Sequence, residues 1–162
     1  MADLFVCGRV RGKGEAQAAN LIRSTPPNTH PHIHRYFAYA DTREGIAAGH
    51  GTHVCGSLAG YPAEMAASSL AYQYRGAAFA ARLAFFDIGY PNADWLEVPR
   101  ELATGLFPRA YAVGARVHSN SWGSSLGGNS EEMHQTDKWL WERQDSVVLY
   151  AAGNDGLRGD RK

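Results

Sequence analysis

Residues 116–151, RVHSNSWGSSLGGNSEEMHQTDKWLWERQDSVVLYA, carry the pattern on which the fold turns. Arg116 to Asn120 alternates like a short strand, and Ser121 to Gly128 is rich in Ser and Gly, as a loop is. Asn129 and Glu132 then stand as an N-cap and N3 pair for a helix expected to run to about Asp145. Val147-Val148-Leu149-Tyr150-Ala151 is β-branched and aromatic, so it reads as a second strand. A strand, a helix and a strand within one stretch of this length make a βαβ unit, which implies parallel pairing.

The same alternation extends upstream. Arg82-Leu83-Ala84-Phe85-Phe86-Asp87 is a nearly continuous apolar run of strand length. A turn at Gly89 to Asn92 leads to a helical stretch in which Leu106, Ala110 and Val113 share a face, and Gly114 closes it. Ile33 to Ala40 is aromatic and partly alternating, as expected of a strand, and Asp41 to Gly49 is a polar loop. Val54 and Leu58 lie four apart on a segment that stops near Gly60 and Pro62, which predicts a short helix beginning around His50. Residues 1–31 are rich in Gly, Pro, Asn, Ser and Arg, with Thr25-Pro26-Pro27-Asn28 as a breaker, and read as mostly irregular. The expected architecture is α/β, a three-layer doubly wound and mostly parallel sheet. An irregular N-terminal segment, 1–32, precedes it, and residues 33–162 form the domain. Ligand sites in such sheets lie beyond the carboxyl ends of the strands, which directs attention to the segments after Asn120 and after Ala151.

Composition removes several function classes. The chain has 162 residues, 44% of them apolar, enough for one packed core. Sixteen basic residues balance sixteen acidic ones, so no broad cationic surface is available for nucleic acid or an anionic membrane. No apolar run approaches the ~20 residues that span a bilayer, and the start lacks the apolar core of a signal peptide. Two cysteines, Cys7 and Cys55, do not define a redox compartment.

Three short segments carry chemistry. Gly49-His50-Gly51-Thr52-His53-Val54-Cys55-Gly56 places a histidine between glycines at a helix start, where a general base has an exposed ring edge and a rigid mount. It resembles the histidine motif of the subtilisin-like proteases (subtilases), with Cys55 where alanine is usual. Ser119-Asn120-Ser121-Trp122-Gly123-Ser124 is similar to the subtilase segment that lies alongside the substrate main chain, and Ala151-Ala152-Gly153-Asn154-Asp155-Gly156 to the segment whose asparagine donates to the oxyanion. All three occur in the family's order.

The resemblance implies a serine endopeptidase acting on polypeptides without a cofactor. His50 would be the general base and Asn154 the oxyanion donor, with Ser121, Trp122 and Gly123 aligning the substrate and Trp122 open to a part as a subsite wall. His53 would be a structural histidine packed under the helix. Family members often bind calcium and are often secreted, but no calcium ligand set is readable in these residues.

The triad expected from the family is incomplete in these residues. Nothing resembling the Gly-Thr-Ser segment of the nucleophile occurs before Lys162. Asp3 is a possible partner for His50 by distance along the chain, but it lacks the usual Asp-Thr/Ser-Gly context, and Asp41 belongs to the loop. The reading is therefore of a catalytic domain incomplete at its C-terminus and at its N-terminus, with a pseudoprotease or peptide-binding remnant as the alternative. A metal hydrolase built on His30, His32, His34, His50 and His53 is the rival from a different chemistry. Pro31 and the lack of a carboxylate or cysteine pattern make a histidine-bearing loop the better description. A parallel sheet cut after three or four strands would leave apolar surface and an unpaired edge, so the isolated chain is expected to be aggregation-prone or partly unfolded.

Overall fold

The computed structural model describes residues 3–8, 33–40, 50–60, 73–89, 96–123 and 130–153. Five parallel strands form one sheet: β1 (Asp3–Gly8), β2 (Ile33–Ala38), β3 (Arg82–Asp87), β4 (Val117–Asn120) and β5 (Val147–Tyr150), in the order β2-β3-β1-β4-β5. Among the described residues four helices accompany them: α1 (His50–Ala59), α2 (Leu102–Gly105), α3 (Phe107–Ala112) and α4 (Ser130–Glu142).

β1 corrects the sequence reading. Asp3 to Gly8 fell inside the stretch expected to be mostly irregular, yet it is the middle strand, bonded to β3 on one side and β4 on the other. Among the described residues the sheet therefore has five strands rather than three or four. Its Leu4-Phe5-Val6-Cys7 run is the short apolar run of a buried parallel strand, followed by Gly- and Arg-rich residues, and its place in the sheet is decided by the two strands that receive it.

Alternation along β3 divides the core into two layers. Leu83 and Phe85 face α1, where they pack with Cys55 and Ala59. Ala84 and Phe86 face the other side, where Leu102, Leu106, Phe107, Ala110 and Trp139 cover them. Helices on both faces produce the expected three layers. The steps β2 to β3, β3 to β4 and β4 to β5 all cross the sheet in one direction. α1 lies on one face while α2, α3 and α4 lie on the other, so the β2–α1–β3 crossover has the opposite hand to its neighbours.

The helix predicted from Leu106, Ala110 and Val113 is present as α3, and the short α2 precedes it as a separate turn of helix. Pro108, in the first turn of α3, has no N–H to extend the α2 hydrogen-bond ladder. Glu101 makes no side-chain cap for α2; instead Gln135 of α4 accepts from the Leu102 N–H at 2.6 Å. That buried carboxamide satisfies one of the orphan donors of a helix start. α4 ends at Glu142, three residues before the expected end, and its proposed cap Asn129 lies outside the described residues. At the far end of α1 the carbonyls of Ser57, Leu58 and Gly60 accept from Ala77, Ala78 and Gly76. A Cβ on Gly76 would lie 2.6 Å from the Gly60 nitrogen, so this close approach requires glycine.

Candidate active site

All strands are parallel, so their carboxyl ends lie along one edge of the sheet. α1 follows β2 and runs back toward the start of β3, which places its C-terminus at the amino edge and its N-terminus, His50, at the carboxyl edge. The dimensions agree. Ten helical residues span about 15 Å and six strand residues about 20 Å. α1 packs across β3 and β1, toward the middle of the sheet. His50 is exposed there.

Ser121 to Gly123 leave the end of β4 at the same edge, and Ala151 to Gly153 leave the end of β5. The Ala151 N–H donates to the Asn120 carbonyl at 3.0 Å, so the two segments depart side by side. Gly153 has φ of 94°, a left-handed conformation that favours glycine, and it turns the chain immediately before position 154. Asn154 itself lies outside the described residues, as do Asp41, His30 and His32.

Trp122 is not a wall of an open groove. It is 8% exposed, belongs to the core cluster on the α4 face, and meets Tyr150 edge to face at 5.5 Å. Ser121 is half-buried and Gly123 exposed, with nothing within 4 Å of where a Cβ would stand. His53 is exposed rather than packed under α1, because Gly51, Cys55 and Ala59 form the buried stripe of that helix. His34 is half-buried in β2.

Asp3 is excluded as the partner of His50. It pairs in register with Arg82 at the amino edge, five residues and about 16 Å from the carboxyl end of β1. That end is Cys7-Gly8, which carries no carboxylate. Sequence reasoning missed Asp87, the charged terminus of an otherwise apolar strand. It is 5% exposed, stands opposite Gly8, accepts from the Tyr36 hydroxyl at 2.5 Å, and accepts from the Gly89 N–H at 3.0 Å. Tyr36 stacks on Phe85, so this carboxylate lies on the α1 face. Its main-chain carbonyl holds the Tyr39 N–H at 3.0 Å, where the chain sets out toward His50.

Two further buried groups are perturbed. Burial raises the Cys55 thiol to about 12. Burial also lowers the His118 imidazole to about 3, against a hydrogen bond with Asn120 that raises it. Neither is placed to react: Cys55 fills the α1 core, and His118 lies on the opposite face against Phe107 at 5.1 Å.

A parallel sheet with a histidine at a helix start and two strand-end loops along one edge is a mixed α/β scaffold, and the comparisons give its family. The Subtilase family pattern matches residues 25–162, and the chain belongs to that family. Among curated proteins it is 39% identical over 132 residues to the Serine protease/ABC transporter B family protein tagD of Dictyostelium discoideum. It is 38% identical over 133 residues to the corresponding tagB protein of the same organism. The matches cover 78% and 79% of this chain, but the chain spans only 7% of each relative. Among solved structures, a mutant of the protease domain of PatA superposes with a TM-score of 0.53 at 20% identity, covering 95% of this chain and 50% of that one. That likeness supports the mixed α/β fold with parallel strands.

Proposed function

We propose that these residues are part of a serine endopeptidase domain acting through an Asp/His/Ser triad, with His50 as general base and then general acid. The observation that carries this reading is the convergence of the α1 start and the β4 and β5 exits on one edge of the sheet. In acyl transfer, negative charge develops on the former carbonyl oxygen, and the Asn154 side chain would donate to it more strongly in the transition state than in the ground state. The main chain of Ser121, Trp122 and Gly123 would pair with an extended substrate as an added strand. Exposed Gly123 leaves room for a backbone to approach.

This reading assigns the nucleophile to no serine within residues 1–162, and it assigns the orienting carboxylate to neither Asp3 nor the end of β1. The chain is therefore expected to bind extended peptides without hydrolysing them. A pseudoprotease or peptide-binding role is the second reading, favoured by the same absence of a carboxylate at Cys7-Gly8. Titration with an extended peptide and with its backbone N-methylated counterpart tests the shared groove: the first should bind and the second should not. Labelling with a fluorophosphonate tests the missing nucleophile. Stoichiometric modification of any serine in this chain would overturn that assignment.

A further inference from the structure

We propose that the cleft between α3 and α4 binds a small aromatic carboxylate, with its ring against Tyr111 and Trp139 and its anionic group between Lys138 and Arg143. The cleft measures about 420 Å³ and is walled on one side by α2 and α3 and on the other by α4. Small-molecule sites commonly occupy about 300–1,000 Å³. Both walls belong to described helices, so no further strand or helix is needed to define the cleft. α3 and α4 end shortly before β4 and β5 begin, which sets the cleft toward the amino edge of the sheet, away from His50.

The body of the cleft suits a flat apolar ring. Ala103, Pro108 and Ala112 present small apolar surfaces on one wall, and the buried Trp139 indole lies across from them. Tyr111 and Trp139 meet edge to face, with ring centroids 5.8 Å apart, a geometry that a third ring can extend. Tyr111 is fixed in place. Its hydroxyl donates to Asp145 Oδ2 at 3.1 Å, and the Arg116 guanidinium, ion-paired with the same carboxylate at 2.9 Å, lies 3.6 Å from the centre of its ring. A wall held in this way adds little ordering cost when a ligand enters.

The rim supplies the charge. Arg143 stands 5.3 Å from the Trp139 centroid and 5.7 Å from that of Tyr111, and donates to the Glu142 carbonyl at 3.0 Å. Among the described residues neither Arg143 nor Lys138 has a carboxylate partner, because Asp145 is engaged by Arg116. Glu142 is the single carboxylate of the lining, so two cations against it leave an excess of one positive charge. That excess matches a monoanion, and the guanidinium fork matches the two oxygens of a carboxylate.

Isothermal titration calorimetry of the chain with 3-phenylpropionate should show one saturable site with a Kd at or below about 1 mM. The neutral 3-phenylpropionamide should bind about tenfold more weakly or worse, and so should acetate, which keeps the charge but lacks the ring. Lys138→Gln and Arg143→Gln should each weaken binding by about tenfold, whereas Glu142→Gln should tighten it. Ala112→Phe, which fills the cleft from an exposed position, should abolish binding. Arg75→Gln, beside the residues that bond to the end of α1, should leave it unchanged. Arg143 also lies over two core rings, so thermal unfolding is measured for each variant, and the unpaired Lys138 carries the charge test should Arg143→Gln fail to fold. An amide that binds as tightly as the acid overturns the proposal, as does binding indifferent to Lys138→Gln and Glu142→Gln. Absence of saturation by the acid with the parent chain would do the same.

Discussion

Tyr36 donates its hydroxyl to Asp87 Oδ2 at 2.5 Å and thereby ties the end of β2 to the end of β3, beneath the helix that begins at His50. The carboxylate is buried, so removing it takes this acceptor from both the phenol hydroxyl and the Gly89 N–H. Asp87→Ala is expected to cost about 1.5–3 kcal/mol of stability. Tyr36→Phe should cost less, because the carboxylate keeps its bond to Gly89. Urea unfolding of the two single variants and the double variant gives the coupling between them, and strictly additive effects would show that the contact contributes nothing.

Trp122 and Gly123 are adjacent but should respond in opposite ways. Trp122→Ala empties a core position and should cost about 3–5 kcal/mol. Gly123→Ala adds a methyl group to open space, so stability should change by no more than about 0.5 kcal/mol. On the proposed reading it should nonetheless weaken binding of an extended peptide. A stable Trp122→Ala variant whose only defect lay in peptide affinity would return the indole to the groove.

His118 makes stability depend on pH. Burial keeps its folded imidazole neutral down to about 3, while the unfolded chain takes up a proton near 6.5. Between those values the unfolded state binds the additional proton, so stability falls as pH falls, by about 1.4 kcal/mol per unit for this one group. Urea midpoints at pH 7.5, 5 and 4 should decline more steeply for the parent chain than for His118→Phe. Parallel declines would place the imidazole in solvent.

Cys55, held near 12 by burial, should be inert to alkylation at neutral pH until the chain opens. In a Cys7→Ser background, iodoacetamide labelling should track global unfolding and rise to the rate of a free thiol in denaturant. Native-state labelling at the free-thiol rate would mean that α1 does not pack on Leu83 and Phe85 as described.

Local signals were sufficient for much of the fold. Arg82 to Asp87 reads as a strand from its apolar run alone, and His50 to Ala59 reads as a helix from Val54, Leu58 and the glycine beyond. β4 and β5 were equally plain, and the family resemblance rested on the short segments that follow them. Less was legible where neighbours decide the outcome. Asp3 to Gly8 carries a four-residue apolar run like that of β3, but the Gly- and Arg-rich residues after it mask the signal, and only pairing with β3 and β4 makes it the centre of the sheet. The separate turn α2, ahead of the helix that Leu106, Ala110 and Val113 mark, has no such spacing and is set by Gln135 of α4. Trp122 had equal claims to groove and core until Tyr150 and the α4 face were placed around it.

By itself the sequence determined the alternation of strands and helices, the parallel sheet and the membership of a protease family, because each depends on residues close together in the chain. The tertiary structure alone decided that β1 lies between β3 and β4, that Asp3 stands at the edge opposite His50, and that Asp87 is buried at the end of β3 against Tyr36. Register and edge are relations between distant segments, settled by which apolar faces are buried together, and no local pattern encodes them.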